Sequence, residues 1–184
     1  MCGILAYIGR EPAAPLLVRL LKKLEYRGYD SAGIATVIDS AIHMAKDVGR
    51  VDEIASHLDL TSLRGFGGIA HTRWATHGGV TPENAHPHLS CDGRIAIVHN
   101  GIIDNYKKLR EELENRNHSF RSGTDSEILA HLLEDNYDRA GNEITAVSKT
   151  VQKLSGSYAF VALFRQNPDV IAAARKDSPL MIGL

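Results

Sequence analysis

The sequence predicts a layered fold of sheets and helices, of the α/β or the α+β class. Residues 95–98 (IAIV) and 158–164 (YAFVALF) are apolar at consecutive positions rather than at alternate ones, which is typical of strands that are buried on both faces. The helical segments are amphipathic, so each needs one sheet face to cover its apolar side. These observations leave open whether the second face of a sheet meets helices or another sheet.

The first half of the chain is predicted to begin with a strand and a helix. Residues 2–8 form the strand, and leucines spaced by three and four positions after Pro12 predict a helix that runs to about Glu25. Gly28 is the expected end of that helix. We expect strands at 32–37 and 41–46 across an Asp39-Ser40 turn, a short helix at 51–58, a strand at 67–73 and a loop at 75–87.

The second half of the chain is predicted to alternate between strands and helices. Residues 94–99 form a buried strand, and apolar positions from Ile102 to Leu113 predict that a helix follows it. Thr124 and Glu127 have the spacing of a capping box, which would open the next helix. We expect a further helix at 144–154 and two paired strands at 158–164 and 170–174.

Length, composition and charge limit the class of protein. The 184 residues suit one domain, and 43% hydrophobic with 23% charged residues is ordinary for a globular protein. A net charge of −1 gives no reason to expect a nucleic-acid or membrane partner, and no apolar run approaches the ~20 residues that a membrane span needs. Two cysteines do not make a disulfide framework, so the sequence predicts a cytoplasmic protein of a reducing compartment.

The first candidate for chemistry is Cys2. A cysteine one residue from the chain end packs poorly, although it could simply be a small buried hydrophobe. If Met1 is removed, the thiol and a free α-amino group belong to one residue, and an amine with a pKa of ~7.7–8.0 can accept the thiol proton. The position therefore predicts a nucleophile that carries its own general base.

Three further segments could bind or activate a substrate. Arg73 offers a planar fork that matches a carboxylate, and Trp74 stands where a lid would begin; the alternative is a surface arginine and a core tryptophan. Asn100 and Gly101, at the expected end of a strand, could donate to an oxyanion or could form a simple turn. Asp125, in the expected first turn of a helix, could hold an ammonium group or merely favour the helix start.

Five histidines are concentrated between residues 71 and 99. A pair separated by one residue would share a face of an extended segment, so a zinc site there is conceivable. A proline lies between the two members of that pair, and there is no second pair at standard spacing, so the sequence predicts no metal. The five are His71, His77, His86, His88 and His99.

Six ordered motifs give the chain a close resemblance to a known family. They are CGILAYIG, LEYRGYDSAGIA, HTRWATHG, NAHPH, HNGIIDN and TDSEILAHL; they begin at Cys2 and extend over essentially the whole chain. Their order and spacing resemble those of the class II glutamine amidotransferases, which have the N-terminal nucleophile hydrolase fold. The resemblance implies an α+β fold, a four-layer αββα sandwich of two mainly antiparallel sheets, with no cofactor.

The resemblance also implies roles for residues around the chain terminus. Cys2 resembles the nucleophile of the family, which also serves as its own general base. Asn100 and Gly101 resemble the oxyanion hole, and Arg27, in YRGYDS, resembles the residue that frames the catalytic terminus.

A second set of residues resembles the glutamine-binding part of the family's site. Arg73 and Asp125 resemble the residues that bind the α-carboxylate and the α-amino group of glutamine. Thr76 and His77 resemble loop residues that line the glutamine pocket, and Trp74 resembles the gate of an ammonia channel. The implied substrate and product are glutamine and glutamate.

Within the class, the motifs are most similar to the branch that uses the ammonia to aminate fructose-6-phosphate. The resemblance implies that residues 1–184 are a glutamine amidotransferase type 2 domain, incomplete at its C-terminal end. They would belong to a homodimeric enzyme whose sugar isomerase domains are absent from this chain. Two alternatives stay open: the glutaminase half of the amidophosphoribosyltransferases, and a glutamine-binding regulatory module without turnover.

Overall fold

Two four-stranded sheets form the centre of the structure, a computed structural model that describes residues 2–75 and 78–183. The strands are β1 Gly3–Ile8, β2 Ser31–Ile38, β3 Ala41–Val48, β4 Gly67–Arg73, β5 His88–Leu89, β6 Ile95–Ile103, β7 Gly156–Phe164 and β8 Ile171–Lys176. The strand order is β1-β4-β2-β3 in the first sheet and β5-β6-β7-β8 in the second. Neighbouring strands within each sheet are antiparallel.

Helices cover the outer face of each sheet. They are α1 Ala13–Leu24, α2 Val51–His57, α3 Tyr106–Glu114, α4 Glu127–Ala140 and α5 Glu143–Lys153, with two short 3₁₀ helices at Glu25–Arg27 and Leu60–Ser62. Within the described ranges, the helices lack either the length or the apolar character that crossing a membrane would require.

Three apolar layers hold the sheets and helices together. Helices α1 and α2 cover the first sheet through a cluster that includes Leu17 and Ile54. Helices α3 and α4 cover the second sheet through a cluster that includes Leu109, Ile128 and Phe160. The third layer lies between the sheets and comprises Ala35, Val37, Ile69, Ala96, Val98, Val161 and Leu163. The predicted αββα sandwich of antiparallel sheets is therefore confirmed.

Strand β6 explains the continuous apolar runs in the sequence. Ile95 and Ile97 belong to the cluster under the helices, whereas Ala96 and Val98 belong to the layer between the sheets. A strand between a helix layer and a second sheet has no face left for polar residues. The second face of each sheet therefore packs against the other sheet. The apolar pattern alone had left open whether that face meets a sheet or helices.

The end of β6 differs from the sequence prediction. A strand ending at Asn100 and a helix from Ile102 are wrong, because Ile102 lies within β6 and α3 begins at Tyr106. The ladder with β7 continues along the whole of β6, and its hydrogen bonds keep this segment extended. Gly101 permits the close pairing with a φ of +127°, since a Cβ there would lie 2.0 Å from the Ser157 carbonyl oxygen.

The start of α4 also differs from the prediction. The capping box of Thr124 and Glu127 is wrong, because the Glu127 carboxylate accepts hydrogen bonds from the backbone N–H groups of Arg121 at 2.9 Å and Ser122 at 2.7 Å. The segment before the helix folds back so that these two amides face the carboxylate. Asp125 therefore lies before α4 and not in its first turn. The short strand β5 was not predicted either; the other elements lie close to their predicted positions.

In the described part of the chain, four histidines are buried where the two sheets approach each other: His71, His86, His88 and His99. Neighbouring ring centroids are 4.1 Å apart for His71 and His86 and 4.5 Å apart for His86 and His88. Burial lowers the pKa of His71 to about 4 and that of His99 to about 3, and it lowers the pKa of His86 and His88 well below their ordinary values. The four rings are therefore neutral in the fold at neutral pH.

The neutral histidines predict a loss of stability in mild acid. The unfolded chain takes up protons on these rings below pH 6.5, while the fold does not, so the free energy of unfolding should fall as the pH drops from 6.5 toward 4. Replacement of His86, whose ring nitrogens have no hydrogen-bond partner in the described ranges, removes one such group. His86→Leu should flatten the slope between pH 6.5 and 5 by up to about 1.4 kcal/mol per pH unit.

Urea unfolding at a series of pH values measures this slope. His43→Gln is the matched control, because His43 is exposed on β3 and its replacement should leave the slope as in the wild type. Equal slopes in His86→Leu and the wild type would contradict the neutral, buried state of this ring.

Candidate active site

The pairing of β1 with β4 places Cys2 at one end of the first sheet. Gly3 pairs with Thr72, so Cys2 lies beside the end of β4. The backbone N–H of Trp74 donates to Cys2 Sγ over 3.2 Å, and the thiol lies 3.6 Å from the Trp74 carbonyl oxygen. Cys2 is partly exposed and is not in a disulfide. The thiol is thus held in place and open to a small molecule.

Two side chains from other parts of the chain hold the Cys2 carbonyl. Asn100 Nδ2, from β6 of the second sheet, donates to this oxygen over 3.1 Å. Arg27 Nε, from the 3₁₀ helix after α1, donates to it over 3.3 Å. The start of the chain is therefore fixed to both sheets, and the structure brings Cys2, Arg27 and Asn100 together, while their catalytic roles stay a prediction.

His71 sets the orientation of the Asn100 amide, a role that the sequence did not predict. His71 Nε2 lies 3.0 Å from Asn100 Oδ1 and 3.0 Å from the carbonyl oxygen of His99. Both partners are acceptors, so the neutral ring must carry its proton on Nε2 and donate it to them. This donation turns Oδ1 of Asn100 toward His71 and therefore Nδ2 toward Cys2.

Arg73 provides a buried positive charge at the end of β4. Its Nη1 donates to the Gly79 carbonyl oxygen over 3.2 Å. Burial lowers the pKa of the Arg73 guanidinium, while the charges of Cys2, Asp30 and Asp125 act in the opposite direction. The charges of Arg73 and Asp125 are thus close enough to interact, while the roles of the two residues in binding glutamine stay a prediction.

Asp125 connects the segment before α4 to β6. It is buried, and its Oδ2 accepts the backbone N–H of Ile103 over 2.8 Å. Gly101 lies two residues earlier in the same strand and is exposed. Thr76 and His77, the predicted lining of the glutamine pocket, lie outside the described residues.

A turn between α1 and β2 supports Trp74. The sequence prediction of the site did not include this turn. Gly28 lets the turn approach closely, since a Cβ there would lie 2.7 Å from the Trp74 backbone nitrogen. Tyr29 contacts the Trp74 ring edge-on, with ring centroids 5.4 Å apart, and Asp30 Oδ2 accepts the backbone N–H of Ala75 over 2.8 Å. The available signal was the position of these residues within the motif YRGYDS, which the sequence analysis used for Arg27 alone.

Asn84 fixes the described part of the loop after Trp74, from Gly79 onward, and the sequence did not predict this role. Its Nδ2 donates to the Gly79 carbonyl oxygen over 2.9 Å, and its Oδ1 accepts the Gly123 backbone N–H over 2.9 Å. On the other side of the loop, Lys46 Nζ donates to the Ala85 carbonyl oxygen. Burial lowers the pKa of Lys46 to about 8. The loop is thus connected to β3 and to the segment that carries Asp125.

The fold and this arrangement define a class of protein. Two antiparallel sheets packed face to face between helices, with a cysteine at the start of the chain beside an asparagine amide, are the N-terminal nucleophile hydrolase fold of class II glutamine amidotransferases. The model of the glutamine amidotransferase domain family matches residues 71–182, and the chain belongs to that family.

Curated relatives are similar over the whole of this chain. The glutamine–fructose-6-phosphate aminotransferases (isomerizing) of Pyrococcus horikoshii and Methanothermobacter thermautotrophicus are each 51% identical to it. Both alignments cover 100% of this chain and 31% of the relative. The chain thus spans about a third of the length of the curated relatives that it matches.

A solved structure has the same fold. The glutamine phosphoribosylpyrophosphate amidotransferase of B. subtilis, in complex with ADP and GMP, superposes with a TM-score of 0.75 and 28% sequence identity. The match covers 88% of this chain and 35% of that chain.

Trp74 is the only tryptophan in the sequence, so its fluorescence tests the geometry of the turn. We expect Gly28→Ala to push the Trp74 backbone away, because a Cβ at residue 28 would lie 2.7 Å from its nitrogen. The ring would lose its contact with Tyr29, and its emission maximum should move to longer wavelength with stronger quenching by acrylamide.

Gly183→Ala serves as the control, since a Cβ there meets nothing within 4 Å. Unchanged emission and quenching in a folded Gly28→Ala variant would show that this close approach does not hold Trp74.

Proposed function

We propose that this chain hydrolyses glutamine to glutamate and ammonia, with Cys2 as the nucleophile. The observation that carries the proposal is the fixed thiol: Trp74 N–H donates to Cys2 Sγ, while Asn100 and Arg27 hold the carbonyl of the same residue. Such a position keeps the nucleophile ready for attack without a conformational change. Membership of the glutamine amidotransferase domain family supports glutamine as the substrate.

The charges near Cys2 suit the α-groups of glutamine. The Arg73 guanidinium would bind the α-carboxylate through its planar fork, and the Asp125 carboxylate would bind the α-ammonium group. Both side chains are buried, so a ligand that reaches them is shielded from water. Thr76 and His77 would line the remainder of the pocket.

The α-amino group of Cys2 would act as the general base. After removal of Met1 it can take the thiol proton, and the thiolate then attacks the side-chain amide carbon of glutamine. The protonated amine gives this proton to the departing ammonia, and water hydrolyses the γ-glutamyl thioester. No other side chain of the site needs to act as a base.

Asn100 and Gly101 would form the oxyanion hole. In the structure Asn100 Nδ2 donates to the Cys2 carbonyl oxygen, and its orientation is fixed by His71. The amide thus lies next to the nucleophile, where a tetrahedral oxyanion develops. The Gly101 backbone N–H is the second donor of the proposal, and Gly101 is exposed beside it on β6.

The ammonia would serve the amination of fructose-6-phosphate in a longer protein. Relatives of that name are 45–51% identical to this chain and about three times its length, which supports further acceptor domains, with this chain as their type 2 amidotransferase domain. Trp74 would gate the ammonia path, since it is 45% exposed beside the thiol. The longer protein would be a homodimer in the cytoplasm.

The amidophosphoribosyltransferases are the second candidate, because their fold is the same. The solved phosphoribosylpyrophosphate amidotransferase of B. subtilis is 28% identical to this chain, against 45–51% for the aminotransferases of fructose-6-phosphate. The difference favours the sugar phosphate. A glutamine-binding module without turnover is disfavoured, because the fixed thiol would have no use in it.

Retention of Met1 tests the proposed base. With Met1 attached, the amine of Cys2 becomes an amide nitrogen, and glutamine hydrolysis should slow by about 10²–10⁴-fold, the usual contribution of a general base. Both forms are verified by intact mass, and ammonia release is measured with saturating glutamine. Equal rates for the two forms would rule out the amine as the base.

Asn100→Ala tests the oxyanion hole. Loss of one donor should lower kcat by about 10²–10³-fold with little change in KM, because the donor acts mainly in the transition state. Asn105→Ala is a matched control: Asn105 bonds the backbone at Lys153 and Ser155, so its loss should lower Tm and leave kcat near the wild-type value. A folded Asn100→Ala variant with kcat within a few-fold of the wild type would remove Asn100 from the catalytic group.

A further inference from the structure

Four metal-binding side chains meet at the outer side of the second sheet, away from Cys2. Cys91 follows β5, His118 follows α3, and His131 and Glu134 lie on α4. Their ligand atoms all lie within 4.8 Å of one another. His131 and Glu134 are three residues apart in the helix, which puts them on one face.

We propose that Cys91, His118, His131 and Glu134 form a tetrahedral Zn²⁺ site. The set of one thiol, two imidazoles and one carboxylate is the mixture of S, N and O ligands that Zn²⁺ takes. Four protein ligands leave no open position, which is typical of a structural site rather than a catalytic one. The sequence prediction of no metal rested on the histidines between residues 71 and 99, and these four ligands lie outside that group.

The distances between the ligand atoms suit a tetrahedron around Zn²⁺. Zinc bonds of about 2.0–2.3 Å at tetrahedral angles place neighbouring ligand atoms about 3.3–3.6 Å apart. Cys91 Sγ lies 3.3 Å from His131 Nδ1 and 3.5 Å from His118 Nδ1. Glu134 Oε2 lies 3.2 Å from His118 Nδ1 and 3.9 Å from His131 Nδ1. A small movement of Glu134 would complete the set.

Groups around the four ligands already support them. His131 Nε2 faces Glu127 Oε1 at 3.5 Å, the carboxylate–histidine arrangement that orients a zinc-bound imidazole. The Ser119 backbone N–H points at Cys91 Sγ over 3.4 Å, which would stabilise a thiolate. The Glu134 carboxylate also accepts the Cys91 backbone N–H at 3.2 Å, so the turn after β5 is held on α4.

The four ligands differ in their exposure to solvent, so the site is open on one side only. His131 and Glu134 are buried, His118 is partly buried and Cys91 is exposed. An ion could therefore enter from the side of Cys91, with release of the thiol proton on binding. The bound ion would join the turn after β5 and the segment after α3 to α4. That segment continues to Asp125, so the ion would stabilise the side of the fold that carries this residue.

The alternative is a metal-free cluster in which these atoms only bond one another. Zinc content separates the two. The chain is expressed in zinc-containing medium, purified without chelators and analysed by mass spectrometry for metals; we expect about one zinc ion per chain. Cys91→Ser and His118→Gln each remove a ligand and should lose the zinc, while Glu127→Gln should weaken zinc affinity by about 10- to 100-fold.

His43→Gln is the matched control for a lost imidazole, because His43 is exposed on β3; it should keep the zinc content of the wild type. Absence of zinc from the wild type, or wild-type zinc content in Cys91→Ser and His118→Gln, would overturn the proposal.

Cobalt spectroscopy tests the site with all four ligands in place, so it does not depend on folding of the variants that lack a ligand. In a Cys2→Ala background Cys91 is the only thiol. Chelator-treated protein titrated with Co²⁺ should show the intense visible bands of tetrahedral cobalt and a thiolate-to-cobalt charge-transfer band, and Tm should rise with added zinc. A spectrum of octahedral cobalt without the charge-transfer band, or a Tm that zinc leaves unchanged, would show the metal-free cluster.

Discussion

The antiparallel pairing of β1 with β4 is the constraint on which the candidate site depends. The start of a chain ordinarily frays, yet here the ladder from Gly3 to Ile8 runs along β4 and ends at Thr72, two residues before Trp74. The strand therefore delivers Cys2 to a defined place, and Asn100 and Arg27 secure its carbonyl. A residue near the start of the chain gains the fixed geometry of an interior one while its thiol stays reachable.

Contacts between the sheets extend that constraint to the second half of the site. His71, on the first sheet, donates to Asn100 and to the His99 carbonyl oxygen on the second. Burial keeps the ring neutral, and neutrality is what assigns its single donor to Nε2. The proposed nucleophile and oxyanion donor thus keep their relative positions because one buried imidazole links the sheets.

The sequence predicted elements where local pattern decides structure. Strands that are apolar on both faces, such as β6, must be covered on both sides, so their layered packing follows from the sequence pattern. That the second layer is another sheet was implied only by the family motifs. The predictions failed where distant partners decide. Ile102 has helical spacing but pairs with β7, and Glu127 has capping-box spacing but binds amides of residues 121 and 122. The roles of Asn84 and of the cluster around Cys91 could not be predicted for the same reason, because their partners are many residues away in the sequence.

The loop held by Asn84 and Lys46 has a consequence for the thermodynamics of ligand binding. A loop that must order itself around a ligand loses conformational entropy at that moment, and the apparent affinity falls accordingly. Here the part of the loop around Asn84 bonds Gly79, Gly123 and β3 through contacts within the fold itself. The entropy of this part is lost during folding instead, so a ligand bound beside it would retain more of its interaction energy as affinity.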